Sequence, residues 1–296
     1  MSQNFGIGKH TNELIGTDYI TYSKLNNKYY VLSSKTGIIA VINSSFEKEK
    51  QFKINFNIKR TKEEVIKNPF PYLMDSYELD YGYDGILKVF DKNHLAIAIT
   101  SSHPKFNGYF NSTNYYENSR IIALINIENE YVDKLIGRRP ALFLSKQLPN
   151  YDHFNYEINN ENLYLNFYPE DKIYKIDKEK DTLQTVFGVQ GEEMKIDYVV
   201  TNSYEEAHKR EFEDYTEFNF YNSLYIDSNI VFRGYTKNNI LYDGLQIFKN
   251  KKLIADLEFP KGYKIIGKID NHYYASKINI KRKEDMIILK LNITGL

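Results

Sequence analysis

Residues 154–188 set the terms for the whole chain. They read FNYEI, a break at Asn159-Asn160-Glu161, NLYLNFY, a break at Pro169-Glu170-Asp171, KIYKID, a charged break at 178–181, and TLQTVFG. Four short runs rich in Tyr, Phe, Ile and Leu, each closed by a turn signal, describe four β-strands in a meander. One such sheet cannot bury both of its faces alone, so a stable chain must repeat it.

The repeat is present. Residues 19–57 give YITYSKL, Asn26-Asn27, KYYVLSS, Lys35-Thr36-Gly37, IIAVIN, a charged turn at 47–50 and QFKINFN. Residues 85–137 give GILKVFD, Asp91-Lys92-Asn93, HLAIAITS, a long loop, RIIALINI, Glu128-Asn129-Glu130 and YVDKLIG. A fourth unit, 222–259, runs NSLYI, Asp227-Ser228-Asn229, IVFRGYT, a loop, GLQIF, a turn at 249–251 and KLIADLEF; a fifth runs YKIIGKI, Asp270-Asn271, HYYASKIN, a loop at 280–285 and MIILKLNI. The first turn of every unit begins with Asn or Asp, at Asn26, Asp91, Asn159, Asp227 and Asp270, which tolerates the positive φ of tight hairpins.

Recurring four-strand meanders predict an all-β fold, a β-propeller of five to six four-stranded blades filling one domain over residues 1–296. A β-sandwich or a pair of small barrels is the alternative, but neither demands grouping by fours. Apolar third strands (IIAVI, RIIALI, MIILKL) suit blades buried between two neighbours. The fifth unit lacks a fourth strand, which residues 5–14 are placed to supply, closing the edge. A sixth unit is either degenerate within 58–83 or missing.

Composition narrows the partners. Thirty-nine basic residues balance thirty-nine acidic ones, which argues against nucleic acid, whose binding depends on excess positive charge. The absence of Cys excludes thiolate metal sites and a cysteine nucleophile. No apolar run reaches the roughly 18 residues of a spanning helix, so no transmembrane segment is expected. The start MSQNFGIGKHTNEL lacks a signal-peptide pattern, which implies a cytoplasmic protein if Met1 is the native start, or a leader already removed.

In a meander the 2→3 turns and the connections between blades emerge at one end. All the long segments (58–83, 102–119, 138–152 and 189–219) fall in that set, which nominates this end for ligand binding. Within 203–212, SYEEAHKREF, Ser203 and Glu206 form a capping-box pattern, predicting a short exposed helix in an inter-blade connection. Tyr109, Phe110, Tyr115 and Tyr116 in the 102–119 loop could stack on a sugar ring or grip a peptide, or simply seal the loop to the blades. Arg138 and Arg139 could bind an anion or be solvated or salt-bridged.

Nothing specifies catalysis. The six His show no metal spacing, and His94 and His272 open equivalent second strands, a structural position. No nucleophile elbow, P-loop or dinucleotide fingerprint is present. Asp75, Glu78, Asp80 and Asp84, interleaved with Tyr77, Tyr81 and Tyr83, could offer carboxylates to Ca²⁺ or a glycosidic bond, although any loop of this length contains carboxylates.

The stretch NSLYIDSNIVFRGYT, with EEAHKREFEDY before it and LYLNFYPEDKIYKID upstream, resembles the six-bladed TolB-like β-propeller family over about residues 152–291. None of these motifs is catalytic. The resemblance implies a mostly uncharacterised lipoprotein, with an envelope or periplasmic location and membrane anchoring through a segment absent from this chain. The chain departs from the family in lacking the anchoring Cys and in showing five units where six are expected. The expected function is a non-enzymatic binding or scaffold propeller presenting its long-loop face to a protein or glycan, without cofactor or metal. The alternatives are a carbohydrate- or lactone-acting hydrolase or lyase with a metal at a central channel, and a subunit of a larger envelope complex.

Overall fold

The structure is a computed structural model. It describes residues 19–68, 70–80, 87–101, 103, 105–109, 112–177, 181–278 and 286–293. The closing strand expected at 5–14 lies outside the described residues, as do Asp84, Tyr81, Tyr83 and the 280–285 loop. Five antiparallel sheets form among the described residues. The chain divides into two compact units, Met1–Ser145 with Asp177–Leu183, and Lys146–Ile176 with Gln184–Leu296.

The first unit opens with β1 (Tyr19–Ser23), β2 (Lys28–Ser33), β3 (Ile38–Asn43) and β4 (Lys48–Lys53), paired in chain order. The central strands supply the core: Leu32 and Ile39 are fully buried. The charged turn expected at 47–50 is instead the start of β4. The chain turns one step earlier, where Asn43 Oδ1 accepts hydrogen bonds from the Ser45 and Glu47 amides at 3.0 and 2.9 Å and Phe46 takes φ 61°. Strand β4 is a sheet edge, where Lys and Glu face water and discourage pairing with other chains.

The segment 58–83 holds α1 (Lys62–Lys67), capped by a reciprocal Thr61–Glu64 box, and β5 (Glu78–Leu79). With β6 (Leu87–Val89), β7 (His94–Thr100), β8 (Ile122–Asn126) and β9 (Tyr131–Ile136), β5 makes the second sheet. Strands β5 and β6 pair with successive parts of β7, Leu79 opposite Ile99 and Leu87 opposite Ile97. Helices α2 (Ser112–Asn118) and α3 (Ala141–Ser145) follow β7 and β9. The first hairpin here needs no positive φ, because Asp91 Oδ1 accepts from the Asn93 and His94 amides at 2.7 and 2.8 Å. The sheets are tied hairpin to hairpin: Lys50 Nζ reaches Glu130 at 2.8 Å, and the Val132 amide donates to Asn55 O at 2.9 Å.

The second unit carries β10 (Phe154–Asn159), β11 (Asn162–Phe167), β12 (Ile173–Asp177) and β13 (Thr182–Phe187), the four runs from which the repeat was read; the β12–β13 hairpin groups with the first unit. Helix α4 (Tyr204–Glu217) leads to β14 (Tyr221–Asp227), β15 (Ile230–Tyr235), β16 (Tyr242–Lys249) and β17 (Lys252–Pro260). The last sheet is β18 (Lys264–Ile269), β19 (His272–Ile278) and β20 (Met286–Leu291). First strands of successive sheets lie side by side, β14 against both β10 and β18, and Asn159 Nδ2 donates to Ser228 O in the next sheet's hairpin at 2.8 Å.

Two elements differ from expectation. The apolar run MIILKL is exposed, Met286 at 59% and Ile288 at 52%, because β20 is the outer strand of a sheet with three described strands. Helix α4 is longer than 203–212 and is docked: Ala207 and Asp214 are buried, and Asn150 Nδ2 donates to Ala207 O and Asp214 Oδ2 at 2.8 Å each. No helix among the described residues is long and apolar enough to cross a membrane.

Candidate functional site

Two features of the first unit, linked through Tyr77, make up the candidate site. One is a groove of about 730 Å³ between the β2–β3 turn (Lys35, Thr36, Gly37), the chain leaving β4, and β5. Its position follows from local geometry: Gly37 at φ 67° lets the turn close tightly, and Gly37 O accepts from the Ile54 amide at 2.8 Å, bringing the two sides together. The floor is Ile54, Tyr77 and Leu79, all buried, and Ile58 projects from the rim at 70% exposure. Lys35 and Lys53 are exposed on the lining and make no ion pair among the described residues, whereas Glu78 is the lining carboxylate.

The second part is a cluster of arginines. Arg120 Nε pairs with Asp181 Oδ2 at 2.6 Å, and its Nη1 donates to Asn118 O at 2.6 Å. Asp181 Oδ1 also accepts from the Gly137 amide at 2.8 Å, and Arg138 Nε lies 3.6 Å from the same carboxylate. Arg139 donates to Ser119 Oγ and Tyr115 OH at 2.6 Å each and stacks 4.3 Å over the Tyr115 ring. Two guanidiniums, Arg120 and Arg138, thus share the Asp181 carboxylate, which leaves one positive charge in excess of it and suits an anionic group at the part-exposed Arg138.

Tyr77 joins the two parts. Buried at the groove floor, its hydroxyl donates to Pro71 O at 2.6 Å and accepts from the Arg120 amide at 3.0 Å. Burial pushes the phenol up to about 12, against the opposing pull of Arg120 and Arg139, so it stays a neutral hydrogen-bonding post. His103 fixes α1 alongside: its Nε2 lies 2.7 Å from Val65 O, and its Nδ1 accepts from the Lys105 amide at 3.0 Å.

The nominated residues divide by burial. Tyr115 and Tyr116 lie on α2 at 3% and 1% exposure, Tyr115 against Phe106 and Tyr116 against Phe143 of α3. Arg139 is buried with them, so these three form a packed base. Arg138 remains part-exposed and Tyr109 half-buried, and Phe110 lies outside the described residues. Asp75 is engaged by Arg60, whose Nε donates to it at 2.9 Å, and Glu78 faces solvent in β5. Among the described residues no group of three His, Asp or Glu is placed to hold a metal ion. The sequence reading missed Arg120, Asp181 and the two lysines, and named Tyr77 only as interleaved with the acidic residues of 75–84. Asp181 ends the charged sequence KEKD, far along the chain from its partner, and no local pattern signals such a contact.

No protein-family model matches the chain, and no curated protein matches it in sequence. Among solved structures it is similar to a member of the DUF4221 family from Bacteroides vulgatus, at 14% identity over 99% of this chain and 83% of that one, with a TM-score of 0.67. It is also similar to a Bacteroides fragilis protein provisionally described as exported, at 9% identity over 92% of this chain and 69% of that one, with a TM-score of 0.55. The described residues form five sheets, against the six blades of the TolB-like resemblance. With these neighbours the chain shares a fold, the all-β architecture of β-propeller blades.

Proposed function

We propose that the chain is a non-enzymatic binding propeller whose ligand surface is the groove and arginine cluster of the first unit, and that its ligand is an acidic, apolar-anchored segment of a protein partner. The observation that carries this reading is the pairing of exposed apolar side chains with two lysines that make no ion pair among the described residues. Ile58, at 70% exposure, lines the groove with Lys35 and Lys53, and Phe70 and Leu73 are exposed at 45% and 43% farther along the same segment. Apolar anchors ringed by polar groups are the anatomy of a protein interface. Arg138 and Tyr109 supply contacts at the rim, and the packed Arg139, Tyr115 and Tyr116 hold them in place. Anchoring to an envelope membrane through a preceding segment is compatible with this surface and belongs to the same proposal.

The test is fluorescence anisotropy with a panel of labelled peptides that vary in acidic and aromatic content. Peptides combining both bind the full chain, and the Ile58→Asp, Lys53→Glu, Arg138→Glu triple variant weakens them by about tenfold or more, equivalent to about 1.4 kcal/mol. Equal affinity for the triple variant, with an unchanged melting temperature, overturns the reading.

A further inference from the structure

The second unit contains a pocket unrelated to that surface. Where the third and fourth sheets pack together, Arg233 plugs one end of the cleft by bonding the carbonyls of Glu170 and Asp171. At the other end, by the hairpins, the cleft opens as a pocket of about 310 Å³. Its walls are apolar: Tyr164 and Phe187 from the third sheet, Ile226 and Val231 from the fourth. Phe187 is held by Phe248, ring centres 5.0 Å apart.

The rim is different in kind. Asn229 Nδ2 donates to Asn250 Oδ1 at 2.8 Å, which orients Asn250 so that its own amide nitrogen remains as a donor. Asn250 and Lys251 take φ 50° and 67°, the two left-handed residues of a tight hairpin, so the rim is fixed by backbone geometry. Lys251 lines the pocket and makes no ion pair among the described residues, and neither do Lys249 and Lys252 beside it. Among the described residues no carboxylate lines the pocket.

An apolar slot with a rim of fixed donors and a cation matches one ligand chemistry. We infer that this pocket binds a carboxylate with an apolar, aryl-sized body, seated between Tyr164 and Phe187 with its charge at Lys251 and Asn250. Such a carboxylate comes either from a small organic acid or from the C-terminal residue of a peptide, and the test separates the two.

The full chain is titrated with 4-phenylbutyrate, 4-phenylbutanol, and a short peptide ending in Phe as the free acid or the amide, and binding is followed by chemical shifts of the Asn229, Asn250 and Lys251 amides. The acid moves these signals, and the alcohol binds about tenfold more weakly or worse. Lys251→Glu, on an exposed turn, keeps the melting temperature and weakens the acid by a similar factor. Preference for the peptide acid over its amide, with tighter binding than 4-phenylbutyrate, identifies a C-terminus as the source; the reverse order identifies a small acid. No shift changes at these amides, or equal binding of acid and alcohol, overturns the inference. The binding surface of the first unit is untouched by Lys251→Glu, so the two proposals fail independently.

Discussion

The guanidinium of Arg233 lies 3.3 Å above the centre of the Tyr221 ring, with both side chains buried. Its planar fork reaches Glu170 O at 2.6 Å, Asp171 O at 2.8 Å and Asn166 Oδ1 at 2.7 Å, pinning the β11–β12 turn to the fourth sheet. Burial pulls the group down to about 10, which still leaves it charged at neutral pH. Arg233→Met strands two carbonyls and Arg233→Lys loses both fork and stacking, so each destabilises the chain by roughly 3–5 kcal/mol. Urea unfolding followed by tyrosine fluorescence measures this, and a loss below about 1 kcal/mol refutes the clamp.

What the sequence conveys is what is local. The hairpins were legible because Asn27, Asn160 and Asp270 sit at φ 54°, 50° and 53°, a demand met within two or three residues. Long-range polar contacts were not. Within IVFRGYT, Arg233 alternates as a charge on an exposed face would, and only the packing of two sheets shows it buried. The pair Arg120–Asp181 was hidden for the same reason. The turn at 47–50 was misplaced because charge marks an edge strand as readily as a loop. Of the ligand residues nominated from sequence, Tyr115, Tyr116, Arg138 and Arg139 are brought together, but exposure, which the sequence does not carry, separates Arg138 from the rest.

His94 ties β7 to β9 in the first unit. Its Nδ1 lies 2.9 Å from Asp91 Oδ1 and its Nε2 lies 3.0 Å from Asp133 Oδ2. Burial disfavours the imidazolium, but the two carboxylates outweigh it and raise the group above its usual 6.5. A raised folded-state value stabilises the chain fully below the unfolded value, and the contribution disappears as pH rises through the folded one. The melting-temperature gap between wild type and His94→Gln is therefore widest below the usual imidazole value and narrows as pH rises above it, through the raised folded-state value. A gap that widens with pH contradicts the assignment.

Gly244 lies under the Tyr235 ring, where an added Cβ would come within 1.9 Å of Cζ. Tyr235 cannot retreat without breaking the 2.7 Å hydrogen bond from its hydroxyl to Asp256 Oδ1. Gly244→Ala therefore costs about 1–3 kcal/mol or more by overpacking. Adding Tyr235→Phe frees the ring and recovers part of the loss, a coupling that a double-mutant cycle reads directly.

Helix α4 depends on its cap. Ser203 Oγ accepts from the Glu206 amide at 3.1 Å, so Ser203→Ala costs about 1 kcal/mol. Asp214→Ala costs more, because it removes the acceptor of Asn150 Nδ2 and the partner of Arg210. Thermal unfolding followed by circular dichroism ranks the two, and the reverse order contradicts the docking described for this helix.

Hydrogen exchange with the tightest peptide from the acidic, aromatic panel tests the proposed ligand surface most directly. Bound peptide is expected to slow exchange in residues 54–58 and 77–79 and at the start of β8 after Arg120, with the second unit unchanged. Protection confined to the second unit, or to the short hairpins of the first, would contradict the assignment of this end of the blades as the ligand surface.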